Sequence, residues 1–211
     1  MRGRFRLPRV YPITDTQISG LSHAEQVALF ADGGATLVQL RDKHASALEF
    51  YEQAKAALEV AKQRGVQLII NDRADIALAL GAAGVHLGQD DLPPEAARHL
   101  LGEDAIIGYS THSIAQIQAA ANFPIDYVAI GPIFRTSTKK NPDPVVGLDG
   151  LRRACEAIGD RPLVAIGGIS QTNAREIIEA GADSVALIHG LLANPQCIPE
   201  AVRSLLTTPN P

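Results

Sequence analysis

Eight short apolar runs recur along the chain, and each is followed by a longer stretch with helical spacing. The runs are Val10–Ile13, Thr36–Leu40, Gln67–Ile70, Gly84–Leu87, Ala105–Gly108, Asp126–Ile130, Pro162–Ile166 and Asp183–Ile188. They are rich in β-branched residues and apolar throughout, as strands covered on both faces are. The helical stretches are Ala24–Ala31, Leu48–Arg64, Ala74–Leu80, Pro94–Leu101, Ile114–Ala121, Leu148–Ile158, Asn173–Ala180 and Ile198–Leu206. Several stop at glycine, at Gly33-Gly34, Gly65, Gly81 and Gly181, where a positive φ closes a helix. Strictly alternating strands and helices predict an α/β fold, a single-domain (β/α)₈ TIM barrel over residues 1–211. Its core is expected over 8–206, with a frayed tail at 207–211. A doubly wound open sheet is the runner-up; eight units without an irregular insertion favour closure.

The totals narrow the function. A chain of 211 residues with 46% hydrophobic content buries one good-sized core. A net charge of −4 argues against a nucleic-acid or membrane-surface partner. Cys155 and Cys197 form no CxxC, so neither a disulfide framework nor a zinc site is implied. No run approaches the roughly 20 apolar residues of a membrane span, and the charged start Met1–Arg6 leads to Leu7-Pro8 rather than to a signal core. A cytoplasmic protein acting on small molecules is expected, with homo-oligomerisation left open.

In such a barrel, function sits at the carboxyl ends of the strands. The sixth run breaks at Gly131-Pro132 into a loop reaching Lys139-Lys140 through Arg135, Thr136, Ser137 and Thr138. Hydroxyls, backbone N–H groups and compact cations suit phosphate oxygens, although taken alone the loop fits a solvated connection equally well. After the second run, alternation places Gln39, Arg41 and Lys43 on one side. The position of Gln39 within an apolar run favours an inward, functional placement over a charged strand end. The third and fourth runs deliver Asn71-Asp72-Arg73 and Gly88-Gln89-Asp90-Asp91 to the same rim. Helix capping is the commoner use of such residues, but two carboxylates on one rim also suit Mg²⁺ with a diphosphate. The fifth run leads to Ser110-Thr111-His112, where Ser110 suits a polar heterocycle and His112 is read as a helix-start residue ahead of an acid or base. Gly167-Gly168 after the seventh run permits a backbone phosphate nest, with Ile188-His189 after the eighth beside it. No nucleophile has an identifiable base and orienter, so a triad mechanism has no support.

These segments together resemble thiamine phosphate synthase, of the thiamine phosphate synthase/TenI family, over nearly the whole chain. The resemblance rests on Gln39-Leu40-Arg41-Asp42-Lys43, Asn71-Asp72-Arg73, His86–Asp91, Ser110-Thr111-His112, Gly131–Phe134 with Thr136–Lys140, and Ala165–Ile169. It implies condensation of a hydroxymethylpyrimidine diphosphate with a hydroxyethylthiazole phosphate, giving thiamine monophosphate and diphosphate with Mg²⁺. It implies that Gln39, Arg41, Lys43, Asn71 and Ser110 hold the pyrimidine diphosphate and that Asp72 and Asp91 bind Mg²⁺. Thr136, Ser137, Thr138, Gly167, Gly168 and backbone at Ile188-His189 are implied to hold the thiazole phosphate. Lys139, Arg41, Lys43 and Ser110 are the implied catalytic set, in a dissociative reaction that needs no general base. The chain departs from the pattern at Arg135, often proline in the family, and at His189, commonly serine. The nearest competing reading is a TenI-type thiazole tautomerase using His112; that branch generally lacks the carboxylate matching Asp91. A non-catalytic thiamine-precursor-binding regulator is the third reading, and no ligand is clearly missing to support it.

Overall fold

A computed structural model describes residues 5–136 and 143–207 of the chain. Its strands are β1 (Val10–Pro12), β2 (Leu37–Leu40), β3 (Gln67–Asn71), β4 (Gly84–Leu87), β5 (Ile106–Thr111), β6 (Tyr127–Ile130), β7 (Leu163–Ile166) and β8 (Ser184–Leu187). All pairings are parallel, in the order β1-β8-β7-β6-β5-β4-β3-β2. The two ends of that row meet at a parallel bridge between Ile13 and Gln39, where Thr14 N donates to Gln39 O at 2.9 Å. The eight-stranded sheet thus curls into a nearly closed barrel.

The strands read as continuously apolar because both of their faces are covered. Val38 and Leu40 of β2 face the helices within the larger core cluster, whereas Leu37 and Gln39 face the barrel interior. Inside the barrel lies a smaller cluster that includes Tyr11, Leu37, Ile69, Tyr127, Val164 and Ala186. Full burial of a Leu or Ile is worth about 1.5–3 kcal/mol each, which makes this double-layered core the main stabilising contribution.

The surrounding helices are α1 (Thr16–Ser19), α2 (His23–Asp32), α3 (Ala47–Arg64), α4 (Ala74–Leu80), α5 (Pro94–Leu101), α6 (Ile114–Ala120), α7 (Gly147–Ile158), α8 (Ala174–Glu179), α9 (His189–Leu192) and α10 (Ile198–Thr207). Reciprocal capping boxes fix the starts of α2 and α3, through Ser22 with Glu25 and Ser46 with Glu49. Two short helices were not expected from the spacing, α1 and α9. Each has four residues, too few to show an apolar period. β5 extends through Thr111, so Ser110 is a strand residue rather than a loop residue. α10 runs through Thr207, one residue into the segment expected to fray. Among the described residues no helix is long and apolar enough to cross a membrane.

The amino-terminal end of the barrel is tied by one side chain. Arg98 donates to the carbonyls of Gly102 (3.0 Å), Glu103 (3.2 Å), Ala105 (2.6 Å) and Pro124 (3.2 Å), and to Asp126 Oδ2 at 2.7 Å. Asp126 Oδ2 also accepts from Ile107 N at 2.8 Å, so the charge pair is consumed by the loops feeding β5 and β6.

Candidate functional site

At the opposite end, a cleft of about 730 Å³ opens over the carboxyl ends of the strands. Gln39, Arg41, Lys43, Asn71, Asp72, Asp91, Ser110, Thr136, Gly167, Gly168, Ile188 and His189 all line it. Ser137, Thr138 and Lys139 lie outside the described residues.

The β2 side is pinned from below. Thr14 Oγ1 accepts from Arg41 N at 3.2 Å and contacts His23 Nδ1 at 2.7 Å. Asp42 turns away from the cleft, accepting from His44 N (2.7 Å) and Ala45 N (3.0 Å), with its other oxygen 3.6 Å from His23 Nε2. This fixes the turn that carries Arg41 and Lys43. Arg41 Nη1 lies 3.4 Å from Asp15, the residue that also caps α1. The short helix missed from sequence therefore supplies the anchor for a cleft cation.

The carboxylates after β3 and β4 are not helix caps. The residues preceding α4 and α5 are Arg73 and Pro93, and neither makes a side-chain cap bond. Asp72 adopts φ 62°, a left-handed conformation that costs a non-glycine residue on the order of 1 kcal/mol or more. It is held there by its N–H, which donates to His86 O at 2.8 Å, and its carboxylate accepts from Lys43 Nζ. Asp91 Oδ2 accepts from Gly88 N at 2.6 Å. Burial, and then the negative charge and hydrogen bond of Asp72, hold the Asp91 carboxyl above its ordinary range, while the Gly88 N–H and Lys43 oppose them. Two carboxylates therefore share one part of the rim at an electrostatic cost that a divalent cation relieves. An all-oxygen pair beside space for phosphate oxygens fits Mg²⁺, which takes one or two carboxylates and completes its shell from substrate and water.

Beneath the cleft a polar chain crosses the barrel interior. Gln39 Nε2 donates to Tyr11 Oη (3.2 Å), and Tyr11 Oη meets Tyr127 Oη (2.8 Å). Tyr127 Oη meets His86 Nδ1 (3.0 Å), and His86 Nε2 meets Ser110 Oγ (2.8 Å). Burial lowers the His86 imidazole to about 4, leaving it neutral, and pushes both phenols up. Tyr11, His86 and Tyr127 were absent from the expected site. The available signal was three hydrogen-bonding side chains set inside otherwise apolar runs.

The β6–β8 side is built from backbone. Ile133 N and Phe134 N donate to Ile166 O (2.9 Å) and Gly167 O (3.0 Å), laying the loop after β6 on the turn after β7. Asn173 Nδ2 donates to Gly168 O at 3.0 Å. The N–H groups of Gly168 and Ile169 are anti to Gly167 O and Gly168 O across planar trans peptides, so they point away from Phe134 N and Asn173 Nδ2. Both residues line the cleft, and a turn of this kind suits an anion. Gly167 and Gly168 adopt φ 98° and 69°, and a Cβ on either would come within 2.5 Å of Pro132 Cβ or 2.6 Å of Arg135 O. His112 Nδ1 bonds Gly131 O at 2.7 Å with Asp143 at 3.5 Å, so this imidazole braces the loop after β6. The exposed Arg135 and His189 both line the cleft.

Comparison with known proteins places this arrangement. A family described as thiamine monophosphate synthase matches residues 10–191. A thiamine-phosphate synthase of Koribacter versatilis is 49% identical over 205 residues, covering 93% of this chain and 94% of that protein. One from Chloroflexus aurantiacus is 43% identical, covering 88% of this chain and 85% of its own. The solved thiamine phosphate pyrophosphorylase from Pyrococcus furiosus superposes with a TM-score of 0.83 at 34% identity, over 93% of each chain.

Proposed function

This chain belongs to the thiamine monophosphate synthase family, and from that premise we propose that its cleft joins an aminopyrimidine diphosphate to a thiazole phosphate. As a member it is a transferase of thiamine biosynthesis, a thiamine-phosphate synthase. The observation that carries the assignment of substrates is the pairing of Asp72 and Asp91, with Lys43 between cleft and carboxylate, on the rim facing the Gly167-Gly168 turn. One side suits a metal-bound diphosphate and the other a monophosphate.

In this reading Asp72 and Asp91 hold Mg²⁺, which, when bound, neutralises diphosphate charge as a Lewis acid. Arg41 and Lys43 place fixed positive charge beside the departing diphosphate, with Asn71 adding a donor and Lys139 a third cation. Gln39 and Ser110 hold the pyrimidine ring over the apolar barrel floor. Thr136, Ser137 and Thr138, the N–H groups of the Gly167-Gly168 turn and backbone at Ile188-His189 receive the thiazole phosphate. The C–O bond breaks with its electron pair leaving on diphosphate, and the thiazole nitrogen lone pair forms the new C–N bond. No proton is removed at that step. This is consistent with a buried, neutral His86 and a His112 engaged by Gly131 O. The carboxylate pair weighs against a thiazole tautomerase, which handles no metal diphosphate. A cytoplasmic location belongs to the same proposal, supported by the free thiols of Cys155 and Cys197.

The direct test supplies both precursors with Mg²⁺ and follows products by chromatography. Equal amounts of thiamine monophosphate and diphosphate are expected. Conversion of the thiazole phosphate alone to its tautomer would overturn the assignment.

A further inference from the structure

Tyr11, Tyr127 and His86 play no part in the reaction just described, yet they connect two groups that do. Tyr11 and Tyr127 are 1% and 0% exposed, and the chain they form with His86 ends at Gln39 on one side and Ser110 on the other. The contact is built in by register. Asn71, His86, Gly108 and Tyr127 are successive partners across β3–β6, and glycine at 108 leaves the hole in which the imidazole and phenol meet. A Cβ there would lie 2.1 Å from Tyr127 Cζ and 2.5 Å from His86 Nδ1.

Counting protons gives the chain a direction. Gln39 Nε2 only donates, so Tyr11 Oη accepts from it. The Tyr11 proton is then left with Tyr127 Oη as partner, and the Tyr127 proton goes to His86 Nδ1. A neutral imidazole accepting at Nδ1 carries its proton on Nε2 and donates it to Ser110 Oγ. The Ser110 proton is thereby turned to the cleft as a donor, while Gln39 keeps its carbonyl oxygen and its second amide N–H beyond the Tyr11 contact. Turning the Gln39 amide over reverses every link: Gln39 then offers N–H and Ser110 offers a lone pair. Any mixed arrangement strands a buried hydroxyl proton or sets two protons face to face, and a buried polar group left unpaired is costly.

We propose that the Tyr11–Tyr127–His86 chain ties the hydrogen-bonding sense of Ser110 to that of Gln39: with the Gln39 amide nitrogen toward Tyr11 the Ser110 proton faces the cleft, and with the amide oxygen toward Tyr11 that proton is held by His86. A ring nitrogen that accepts from Ser110, as an aminopyrimidine's can, therefore holds the chain in the first of these senses. His86 and the tyrosines are positioning residues, acting through Gln39 and Ser110. The ligand half of this inference rests on the proposed function; the coupling itself does not.

The coupling is read in the free protein by ¹⁵N NMR of the His86 ring, assigned against His86→Gln. In the native chain the proton is expected on Nε2. Gln39→Glu, at a pH where the introduced carboxylate is ionised, replaces the terminal donor with an acceptor. The chain must then reverse, moving the proton to Nδ1 of a ring that residue 39 does not touch. Adding Tyr127→Phe should abolish that dependence. An unchanged His86 tautomer in folded Gln39→Glu overturns the coupling, whatever substrates the enzyme uses.

Failure of the native chain to form thiamine monophosphate, with the tautomer shift intact, would instead count against the proposed function.

Discussion

At the amino-terminal end of the barrel, Arg98 and Asp126 spend their charges on the backbone of the loops that feed β5 and β6. At the carboxyl-terminal end, Lys43, Asp72 and Asp91 spend theirs on one another, with one backbone in the left-handed region and one carboxyl held out of its ordinary range. Both clusters set a cation against aspartate, but the satisfaction differs. The lower cluster is complete within the chain and contributes stability. The upper cluster keeps two like charges together at a cost, and in the proposed function a cation and its phosphate ligand would recover it. Clusters that the fold completes hold it together; clusters that it leaves in conflict bind something.

The contrast can be broken from either end. Arg98→Ala strands four carbonyls and a carboxylate, so it should lower stability by about 3 kcal/mol or more in thermal or urea unfolding. Catalysis per folded molecule at a permissive temperature should be preserved. Asp72→Ala or Asp91→Ala should do the reverse. Coupling should fall by on the order of 10²-fold or more in kcat/KM, with no loss of thermal stability. Full activity in either variant would remove the metal assignment.

The glycine side gives a smaller and more selective effect. Gly168→Ala forces a side chain into φ 69° and against Arg135 O. KM for the thiazole phosphate should rise on the order of tenfold, equivalent to about 1.4 kcal/mol, while KM for the pyrimidine diphosphate stays within a few-fold. Equal loss for both substrates would place the turn elsewhere in the reaction.

The smallest effect is in pH. Because the folded chain raises the Asp91 pKa, it binds that proton more tightly than the unfolded chain does. This contributes stability at low pH that is lost as pH rises through the folded-state value. Asp91→Asn should therefore show a melting-temperature advantage over the native chain at neutral pH. That advantage should disappear as pH falls into the range where Asp91 is protonated. A difference independent of pH would mean that the two carboxylates do not compete.

Much of the fold was legible because short, continuously apolar strands and helically spaced, capped helices write themselves into sequence. The runs around Val38, Ile69 and Val164 needed no tertiary information to be recognised as strands buried on both faces. The four-residue helices α1 and α9 left no period, and α1 became visible only through the Asp15 cap and its partner Arg41. At the rim, sequence offered Asp72 and Asp91 singly as helix caps and, as a pair and by resemblance, as Mg²⁺ ligands; Arg73 and Pro93 stand at the helix starts instead, which removes the first use. The interior chain was illegible for a different reason. Tyr11, His86 and Tyr127 lie on different strands, and only barrel register brings them together around Gly108.

The central claim is that the rim carboxylates are in conflict until a cation joins them to a diphosphate. Calorimetric titration of pyrophosphate with and without Mg²⁺, in the native chain and in Asp72→Asn/Asp91→Asn, tests it most directly. Mg²⁺ should tighten pyrophosphate binding in the native chain on the order of tenfold or more, and the double variant should lose this enhancement. An equal enhancement by Mg²⁺ in both proteins would contradict it.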